Sequence, residues 1–262
     1  MTTVWLVGCG NMAGAMLTRW LDTGMDPTRI TVIDPHTTRT DVRVMRAIPD
    51  EAPPTAVMLG VKPQILAEIV ERLQPATAGV LLLSILAGIP IATLRHHFPA
   101  VRGVARIMPN LPVAIGKGAV ALHMVAAAAD HMLVTDLLAP LGLVERIGDE
   151  TLFDAVTALS GSGPAFVYRF IDALTRGGQA MGLAADQAER LALATVEGAA
   201  MTAATSTMSP ADLADRVASK GGSTRKALDK LDDDDALVRL VTAALRAAEQ
   251  HNRTMATLTT LD

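Results

Sequence analysis

The sequence predicts a doubly wound α/β domain followed by an all-α domain. In the first half, short apolar runs alternate with helical patterns, which is typical of βαβ units around a mostly parallel sheet. After Gly148-Asp149-Glu150 the strand-like runs stop, and only helical periodicity follows. A chain of 262 residues is long enough for two domains that each bury a core. We therefore expect one domain over residues 1–149 and a second over residues 150–262.

Seven apolar runs in the first half are predicted to be strands. The first four are almost entirely apolar, as expected for strands covered by helices on both faces. The predicted strands are residues 3–7, 30–33, 56–61, 80–85, 103–108, 118–122 and 143–147. Helices are predicted to begin near Asn11, Gln64, Pro90 and Ala127. Between residues 35 and 54 apolar periodicity is weak, so any helix there should be short.

The second half predicts three long helices. Pro164 suits the first turn of the first helix, and a second helix should begin near Asp186. The last helix, from about Asp235, has an apolar stripe with helical spacing. The stripe consists of Leu237, Leu240, Val241, Ala244, Leu245 and Ala248. Because such helices expose apolar area when alone, we expect an oligomer.

Composition and charge argue against several classes of protein. A net charge of -4 and a pI near 5.9 provide no general attraction to nucleic acid or to an anionic membrane. No apolar stretch reaches the roughly 20 residues that cross a bilayer, and the N-terminus lacks the basic start of a signal peptide. Cys9 is the only cysteine, and the histidines show no metal-ligand spacing. We expect a cytoplasmic protein without a metal, a nucleic-acid partner or a membrane partner.

A glycine-rich turn directly follows the first predicted strand, which ends at Val7. The run Gly8-Cys9-Gly10-Asn11-Met12-Ala13 matches G-x-G-x-x-G/A, the Rossmann fingerprint. In that fingerprint the first glycine makes the tight turn, and the second lets the backbone approach a pyrophosphate. The position of the run between a strand and a helix predicts that this loop binds a dinucleotide.

The residues after the second predicted strand could determine whether the chain binds NAD(H) or NADP(H). Asp34 lies where an acidic residue binds the adenine-ribose 2′-OH of NAD, although Asp34-Pro35 also suits a simple turn. Arg39, with Thr37 and Thr38, could instead hold the 2′-phosphate of NADP if Asp34 turned away. The choice between NAD(H) and NADP(H) therefore stays open.

Loops after the third and fourth predicted strands should border the same cofactor. Ligands of open parallel sheets bind beyond the carboxyl ends of the strands. The segments at these ends are Val61-Lys62-Pro63 and Ile85-Leu86-Ala87. Another predicted strand ends within the run Arg106-Ile107-Met108-Pro109-Asn110-Leu111-Pro112, whose two prolines could simply shape a loop.

A second glycine-rich turn lies in the C-terminal half. Gly221 and Gly222 precede Ser223 and Thr224, which open an apolar-periodic segment. The N–H groups at a helix start suit a small anion such as a carboxylate, whereas a simpler interpretation is a serine N-cap. Together with the dinucleotide fingerprint, this anion site suggests a reductase of a small acid.

Five segments occur in an order that resembles the pyrroline-5-carboxylate reductases, which make proline. They are residues 8–13, 61–63, 106–112, 159–165 and 219–224. The Ser-Gly-Ser-Gly-Pro-Ala and Gly-Gly-Ser-Thr segments are far more specific than the fingerprint. The resemblance implies that NAD(P)H reduces the C=N bond of a small cyclic imino acid, pyrroline-5-carboxylate, to L-proline. It also implies a homodimer built by the helical domain and, in larger assemblies, a ring of dimers.

The resemblance also implies roles for individual residues. The Thr224 hydroxyl would hydrogen-bond the substrate ring nitrogen as the catalytic side chain, and Ser219 would support its loop. Backbone N–H groups of Gly221, Gly222 and Ser223 would hold the substrate carboxylate. The pocket beside the nicotinamide would be walled by Ser160, Gly161, Ser162, Gly163 and Pro164. Leu86 and Ala87, with residues 61–63, would border the cofactor.

The chain departs from the family pattern in three places. Lys220 replaces the proline most common before the two glycines, and Ser223 replaces a frequent threonine or alanine. The segment between Asp34 and Ala56 is shorter than usual and lacks the asparagine that commonly touches the adenine-side ribose. Both changes near Gly221 keep the backbone donors.

Two other functions stay open. One is a reductase of another cyclic imine or small acid with the same architecture. A 3-hydroxy-acid enzyme would need a general acid–base residue, typically lysine, between Pro164 and Gly182, where only Arg169 and Arg176 are basic. The other is a non-catalytic dinucleotide-sensing oligomer, which would need no second glycine-rich anion site.

Overall fold

The computed structural model describes residues 2–259, and side chains up to Thr254. Met1, with which the first predicted domain begins, and residues 260–262, with which the second ends, lie outside the described residues. Residues up to Ser162, together with the chain from Ala247 onward, form one compact unit. Residues 163–246 form the other. The domain boundary after residue 149 stays a prediction.

The first unit is built on one sheet of eight strands. The strands are β1 (Val4–Val7), β2 (Ile30–Ile33), β3 (Arg43–Met45), β4 (Ala56–Leu59), β5 (Leu81–Ser84), β6 (Gly103–Met108), β7 (Gly118–Val125) and β8 (Gly142–Arg146). Their spatial order is β3-β2-β1-β4-β5-β6-β7-β8. Neighbours are parallel except for β6 and β7. The predicted Rossmann domain with a mostly parallel, doubly wound sheet is confirmed.

Strand β3, at the edge of the sheet, was not predicted from the sequence. Arg43–Met45 is only three residues long and pairs with β2 alone. A strand this short is too brief to show the alternation of apolar and polar residues on which a sequence prediction depends. The chain also leaves the sheet earlier than predicted at Gly60 and at Ile85, so both segments belong to loops.

Helices cover both faces of this sheet. They are α1 (Asn11–Asp22), α2 (Leu66–Leu73), α3 (Ile91–His97), α4 (Ala128–Leu138) and the short α5 (Phe153–Val156). One apolar cluster centres on Trp20, which is fully buried and donates its indole N–H to the Leu137 carbonyl. The other centres on Phe98 and Leu82. Two cores on opposite faces explain why the central strands are apolar throughout.

The second unit is entirely helical. Its helices are α6 (Gly163–Ala180), α7 (Ala185–Thr205), α8 (Pro210–Val217), α9 (Ser223–Leu231) and the first part of α10 (Ala236–Thr259). The predicted all-α domain is confirmed, although α8 was not expected as a separate helix. Between residues 163 and 246, which are all described, only Gly178, Ala188 and Ala192 are buried. A single copy of this unit therefore has almost no apolar core of its own.

Candidate functional site

The loop after β1 is shaped by Gly8. Its φ is +86°, and its N–H donates to the Ile33 carbonyl with an N···O distance of 2.9 Å. A Cβ at this position would lie 2.5 Å from Cγ1 of Val61. Glycine therefore lets the end of β1 pass close to the loop after β4, as the fingerprint predicts.

Gly10 leaves open space at the start of α1. It precedes Asn11, and no side chain caps the helix. A Cβ built on Gly10 would meet nothing within 4 Å. The first N–H groups of the helix, which include those of Asn11 and Met12, have no helical acceptor. The loop is thus an open cradle of backbone donors that fits the pyrophosphate of a dinucleotide.

Gly60 brings α1 against the sheet, a role that the sequence analysis did not assign. A Cβ at Gly60 would lie 2.8 Å from both the Ala13 Cβ and the Gly8 carbonyl oxygen. Ala13 is itself buried. The sequence feature that could have indicated this role is a glycine directly after an apolar strand and directly before Val61.

The predicted cofactor loops lie side by side at the carboxyl ends of the neighbouring strands β1, β4 and β5. β1 lies between β2 and β4, so the chain leaves it toward opposite sides. Open α/β sheets bind their ligands at such a reversal. Lys62 is exposed in the loop after β4, next to half-buried Val61 and Pro63. These residues are therefore placed at the crevice beside Gly8.

The loop after β5 lies at the carboxyl end of the neighbouring strand and borders the same crevice. The Ile85 N–H donates to the Leu59 carbonyl, and the Leu86 N–H donates to Oγ of buried Ser84 at 3.3 Å. The Leu86 side chain is buried in the core, whereas Ala87 is exposed. Of these two residues, Ala87 is therefore the one that is accessible to a ligand.

Asp34 ties the turn after β2 to the fingerprint loop. Its Oδ2 accepts the Cys9 N–H at 2.7 Å. Its Oδ1 accepts the N–H groups of His36 at 2.8 Å and Thr37 at 3.3 Å. The carboxylate thus faces the loop between the two fingerprint glycines and also forms the turn.

Arg39 is held by two contacts with Asp41 and two with α1. Its guanidinium pairs with both carboxylate oxygens of Asp41. Its Nη1 donates to Oγ1 of Thr18 at 2.9 Å and to the Gly14 carbonyl at 3.3 Å. The hydrogen bond that Arg39 donates to Asp41 is the largest influence on its pKa and raises it, so the guanidinium stays charged and paired.

Cys9 lies among these charged groups but is not activated. Burial is the largest influence on its thiol and raises its pKa, while the charge of Arg39 acts in the opposite direction. The thiol therefore stays protonated at neutral pH, since its ordinary pKa is already above 8. Cys9 contributes its backbone N–H rather than its sulfur to the site.

The Ser160 segment forms a π-helical turn. Residues Thr157–Gly161 follow α5 in this geometry, which is frequent at functional sites. The Ser160 hydroxyl donates to the Val156 carbonyl at 2.9 Å, and the Ser162 N–H donates to the Thr157 carbonyl. Gly163 and Pro164 begin α6 in the helical unit.

Asn110 positions this turn, a role that the sequence analysis missed. It is buried, and its Nδ2 donates to the Ser160 carbonyl at 2.9 Å. Its Oδ1 accepts the Ala119 N–H at 2.9 Å. One amide therefore connects β7 with the π-helical turn. The sequence feature that could have indicated this role is a polar residue that lies between two prolines directly after an apolar strand.

Buried Arg106 forms an ion pair with Glu150, whose side chain is partly exposed. Arg106 is 4% exposed, and its guanidinium contacts Glu150 Oε1 at 3.1 Å and lies 4.6 Å from the centre of the Phe153 ring. Glu150 Oε1 also accepts the Ile91 N–H at 2.8 Å, which caps α3. The pair joins β6, α3 and the approach to α5, and we assign it a structural role.

The second glycine-rich turn begins α9 in the helical unit. Gly221 has a φ of +76°, and the Gly222 N–H donates to the Ser219 carbonyl at 2.9 Å. Helix α9 begins at Ser223 without a side-chain cap. The Ser223 and Thr224 N–H groups have no helical acceptor, and the Thr224 side chain is half-buried. This backbone can bind a carboxylate, while the Gly222 donor serves the turn itself.

Arg225 fixes the start of α9. Its guanidinium contacts Asp229 at 2.8 Å, Asp215 at 3.0 Å and Asp232 at 3.1 Å. The hydrogen bond that Arg225 donates to Asp229 is the main cause that raises the pKa of Arg225. The partners come from α8, from α9 and from the turn that follows α9, so one side chain joins three segments. Spacing alone did not indicate this cluster.

Within the described chain, no group of three or more His, Cys, Asp or Glu side chains is placed to hold a metal ion. None of its helices combines the length and apolar character needed to cross a bilayer. Asp234, in the acidic run before α10, pairs with Arg239.

Comparison with known proteins agrees with this geometry. Residues 150–255 match the family model described as pyrroline-5-carboxylate reductase dimerisation, and residues 3–88 match NADP oxidoreductase coenzyme F420-dependent. The chain is 35% identical to the pyrroline-5-carboxylate reductase of Pseudomonas aeruginosa, over 95% of each chain. The Synechocystis enzyme of the same name is also 35% identical, over 94% of this chain and 96% of its own.

Two solved structures are similar over nearly the whole chain. A pyrroline-5-carboxylate reductase from Coxiella burnetii has a TM-score of 0.88 and 27% identity, covering 97% of this chain and 98% of its own. The Plasmodium falciparum pyrroline carboxylate reductase, solved with NADP bound, has a TM-score of 0.87 and 25% identity with the same coverage. On these matches, the chain belongs to the pyrroline-5-carboxylate reductase family.

Proposed function

We propose that the chain reduces pyrroline-5-carboxylate to L-proline with NAD(P)H as the hydride donor. The observation that carries this proposal is the joint presence of two backbone anion cradles in a member of this family. One is at Gly10, where an added Cβ would meet nothing within 4 Å, and the other is at the uncapped start of α9. The first suits a pyrophosphate and the second suits the carboxylate of an imino acid.

The cofactor residues would act by binding and orientation. The N–H groups at the start of α1 would hold the pyrophosphate, and the loops after β4 and β5 would border the rest of the dinucleotide. When bound, the reduced nicotinamide supplies a hydride to the carbon of the C=N bond. Holding two rings in a productive orientation can supply roughly 7–11 kcal/mol of the barrier.

The substrate residues would hold the ring and its charge. The N–H groups of Gly221 and Ser223 would donate to the carboxylate, and the Thr224 hydroxyl would hydrogen-bond the ring nitrogen. The residues from Ser160 to Pro164 would wall the pocket. Since the imine nitrogen protonates in water near neutral pH, backbone donors and a hydroxyl are enough, and the nitrogen retains its proton as the amine forms.

Assembly as a homodimer, and as a ring of dimers, is part of the same proposal. Support comes from the helical unit, where large apolar side chains such as Met181, Met201 and Leu240 are more than 60% exposed. Patches of this kind are usually covered by a partner. We place the enzyme in the cytoplasm, in keeping with a protein whose only cysteine cannot form an intrachain disulfide.

The decisive test measures how fast the purified protein oxidises NADH or NADPH. NADH and NADPH are each supplied with pyrroline-5-carboxylate, a second cyclic imine and a 3-hydroxy acid. The proposal expects oxidation that depends on pyrroline-5-carboxylate, with proline as the product. A preference for another substrate would favour a reductase of different specificity, and tight dinucleotide binding without turnover would favour a sensing oligomer.

A further inference from the structure

We infer that the chain selects NADH over NADPH, and that Asp34 and Asp41 set this preference. The inference rests on the proposed dinucleotide site but not on the identity of the imine. It concerns the turn between β2 and β3, where Asp34 accepts the Cys9 N–H of the fingerprint loop, and where Arg39 pairs with Asp41 and donates to the Gly14 carbonyl of α1.

The Asp34 carboxylate has one acceptor site left at the cofactor loop. A carboxylate offers about four lone-pair sites. Oδ1 accepts two N–H groups, from His36 and Thr37, whereas Oδ2 accepts only that of Cys9. The remaining site on Oδ2 can accept one donor. A ribose 2′-OH supplies such a donor, whereas a 2′-phosphate dianion supplies none and is repelled.

Arg39 cannot compensate for this repulsion. A guanidinium has five N–H donors. Two of them engage Asp41, and Nη1 engages Thr18 and the Gly14 carbonyl. One donor is left, and the neighbouring Asp41 offsets the positive charge. Bidentate recognition of a phosphate by arginine needs two free donors on one face.

The two threonines of the turn do not replace the arginine. The Thr37 N–H is already directed to Asp34, and Thr38 is exposed. Neither carries a positive charge. The family model matched by residues 3–88 and the Plasmodium falciparum structure both name NADP. We infer the opposite preference for this chain from the charges of its own turn.

Binding affinity tests the inference without the imine. Dissociation constants for NADH and NADPH are measured by calorimetry on the purified oligomer. We expect NADH to bind more tightly by about tenfold or more, because like charges a few ångströms apart repel even in water. Equal affinities, or tighter NADPH, would overturn the inference.

Two variants separate the two carboxylates. Asp34→Asn keeps the size of the side chain and removes its charge, so NADPH should bind more tightly and the NADH preference should fall toward unity. Asp41→Asn frees Arg39, so NADPH should gain affinity while NADH stays within about twofold. Asp26→Asn is the matched control, since Asp26 also accepts the N–H of a turn, that of Thr28, outside this cluster.

The outcomes also separate this inference from the proposed function. A chain that prefers NADH but reduces no pyrroline-5-carboxylate would contradict the proposed function and support the inference. A chain that reduces pyrroline-5-carboxylate but binds NADPH more tightly would overturn the inference alone. Unchanged NADPH affinity in both Asp34→Asn and Asp41→Asn would overturn the assignment of selectivity to these residues.

Discussion

At the scale of single residues, the proposed site uses groups that the fold holds in place and that can still form one hydrogen bond with a ligand. Thr224 is the second residue of α9, half-buried, with a backbone N–H that no helical carbonyl accepts. Asp34 likewise keeps one acceptor site beside the fingerprint loop. In our proposal the Thr224 hydroxyl faces the substrate, and the remaining acceptor site of Asp34 faces the cofactor.

Thr224→Ala tests the proposed contact with the ring nitrogen. The change removes a hydroxyl and keeps the backbone donors for the carboxylate. Loss of one hydrogen bond costs roughly 0.5–1.5 kcal/mol, or up to about 3 if the bond is to a charged iminium. We expect kcat/KM to fall by about 2- to 150-fold, while NADH affinity stays nearly unchanged. Wild-type efficiency in a well-folded variant would remove Thr224 from the site.

Asn110 offers a test of positioning rather than contact. Asn110→Asp keeps the acceptor for the Ala119 N–H but replaces the donor to Ser160 with a carboxylate oxygen. We expect KM for the imino acid to rise while the dissociation constant of NADH changes little. Asn110→Ala removes both bonds and should also lower stability by about 1–3 kcal/mol for each buried group left unpaired. A purely structural role predicts a lower thermal midpoint in both variants with an unchanged KM.

At the scale of elements, the two fingerprint glycines have separable roles. Gly8 has a left-handed backbone and no room for a side chain, whereas Gly10 has an ordinary backbone and open space. Gly8 is therefore needed for the loop to fold, and Gly10 keeps the cradle free for a ligand. This difference leads to opposite expectations for the same substitution.

Gly8→Ala should lower stability by about 1–2 kcal/mol from backbone strain alone, and by more because of the contact with Val61. Gly10→Ala should leave the thermal midpoint almost unchanged but weaken NADH binding, because its methyl group occupies the cradle. Thermal unfolding and calorimetric titration of both variants measure these effects. Tight NADH binding by Gly10→Ala would show that the cradle is not the pyrophosphate site.

The fold was predictable where the hydrophobic pattern was long and regular. The apolar strands β1, β2, β4 and β5 are buried on both faces, so composition alone indicates them. The edge strand β3 and the short helix α8 are too brief to leave such a pattern. The π-helical turn, the Asn110 bridge and the Arg225 cluster join residues distant in sequence or depend on local geometry. Spacing along one chain cannot reveal them.

At the scale of the whole molecule, the helical unit needs a partner to bury its apolar surface. Apart from three small residues, none of the side chains between residues 163 and 246 is buried. Leu237, Leu240 and Val241, on the predicted stripe of α10, are 40%, 70% and 42% exposed. The match of residues 150–255 to a dimerisation family agrees with this surface.

Sedimentation equilibrium should therefore show a dimer or a larger oligomer at micromolar concentration. Leu240→Glu places a charge on the stripe and should shift the protein toward monomer. Met132→Glu, at a position 71% exposed on α4 in the first unit, is the matched control and should leave the assembly unchanged. A wild-type monomer at micromolar concentration would contradict the assembly that we propose.

The most direct test of the central claim is the stoichiometry of imine reduction. Purified chain is mixed with pyrroline-5-carboxylate and NADH, and both NADH oxidation and L-proline are quantified in the same reaction. We predict one L-proline for each NADH oxidised, with no oxidation when the imino acid is left out. A folded, oligomeric chain that binds NADH and forms no proline would contradict the account.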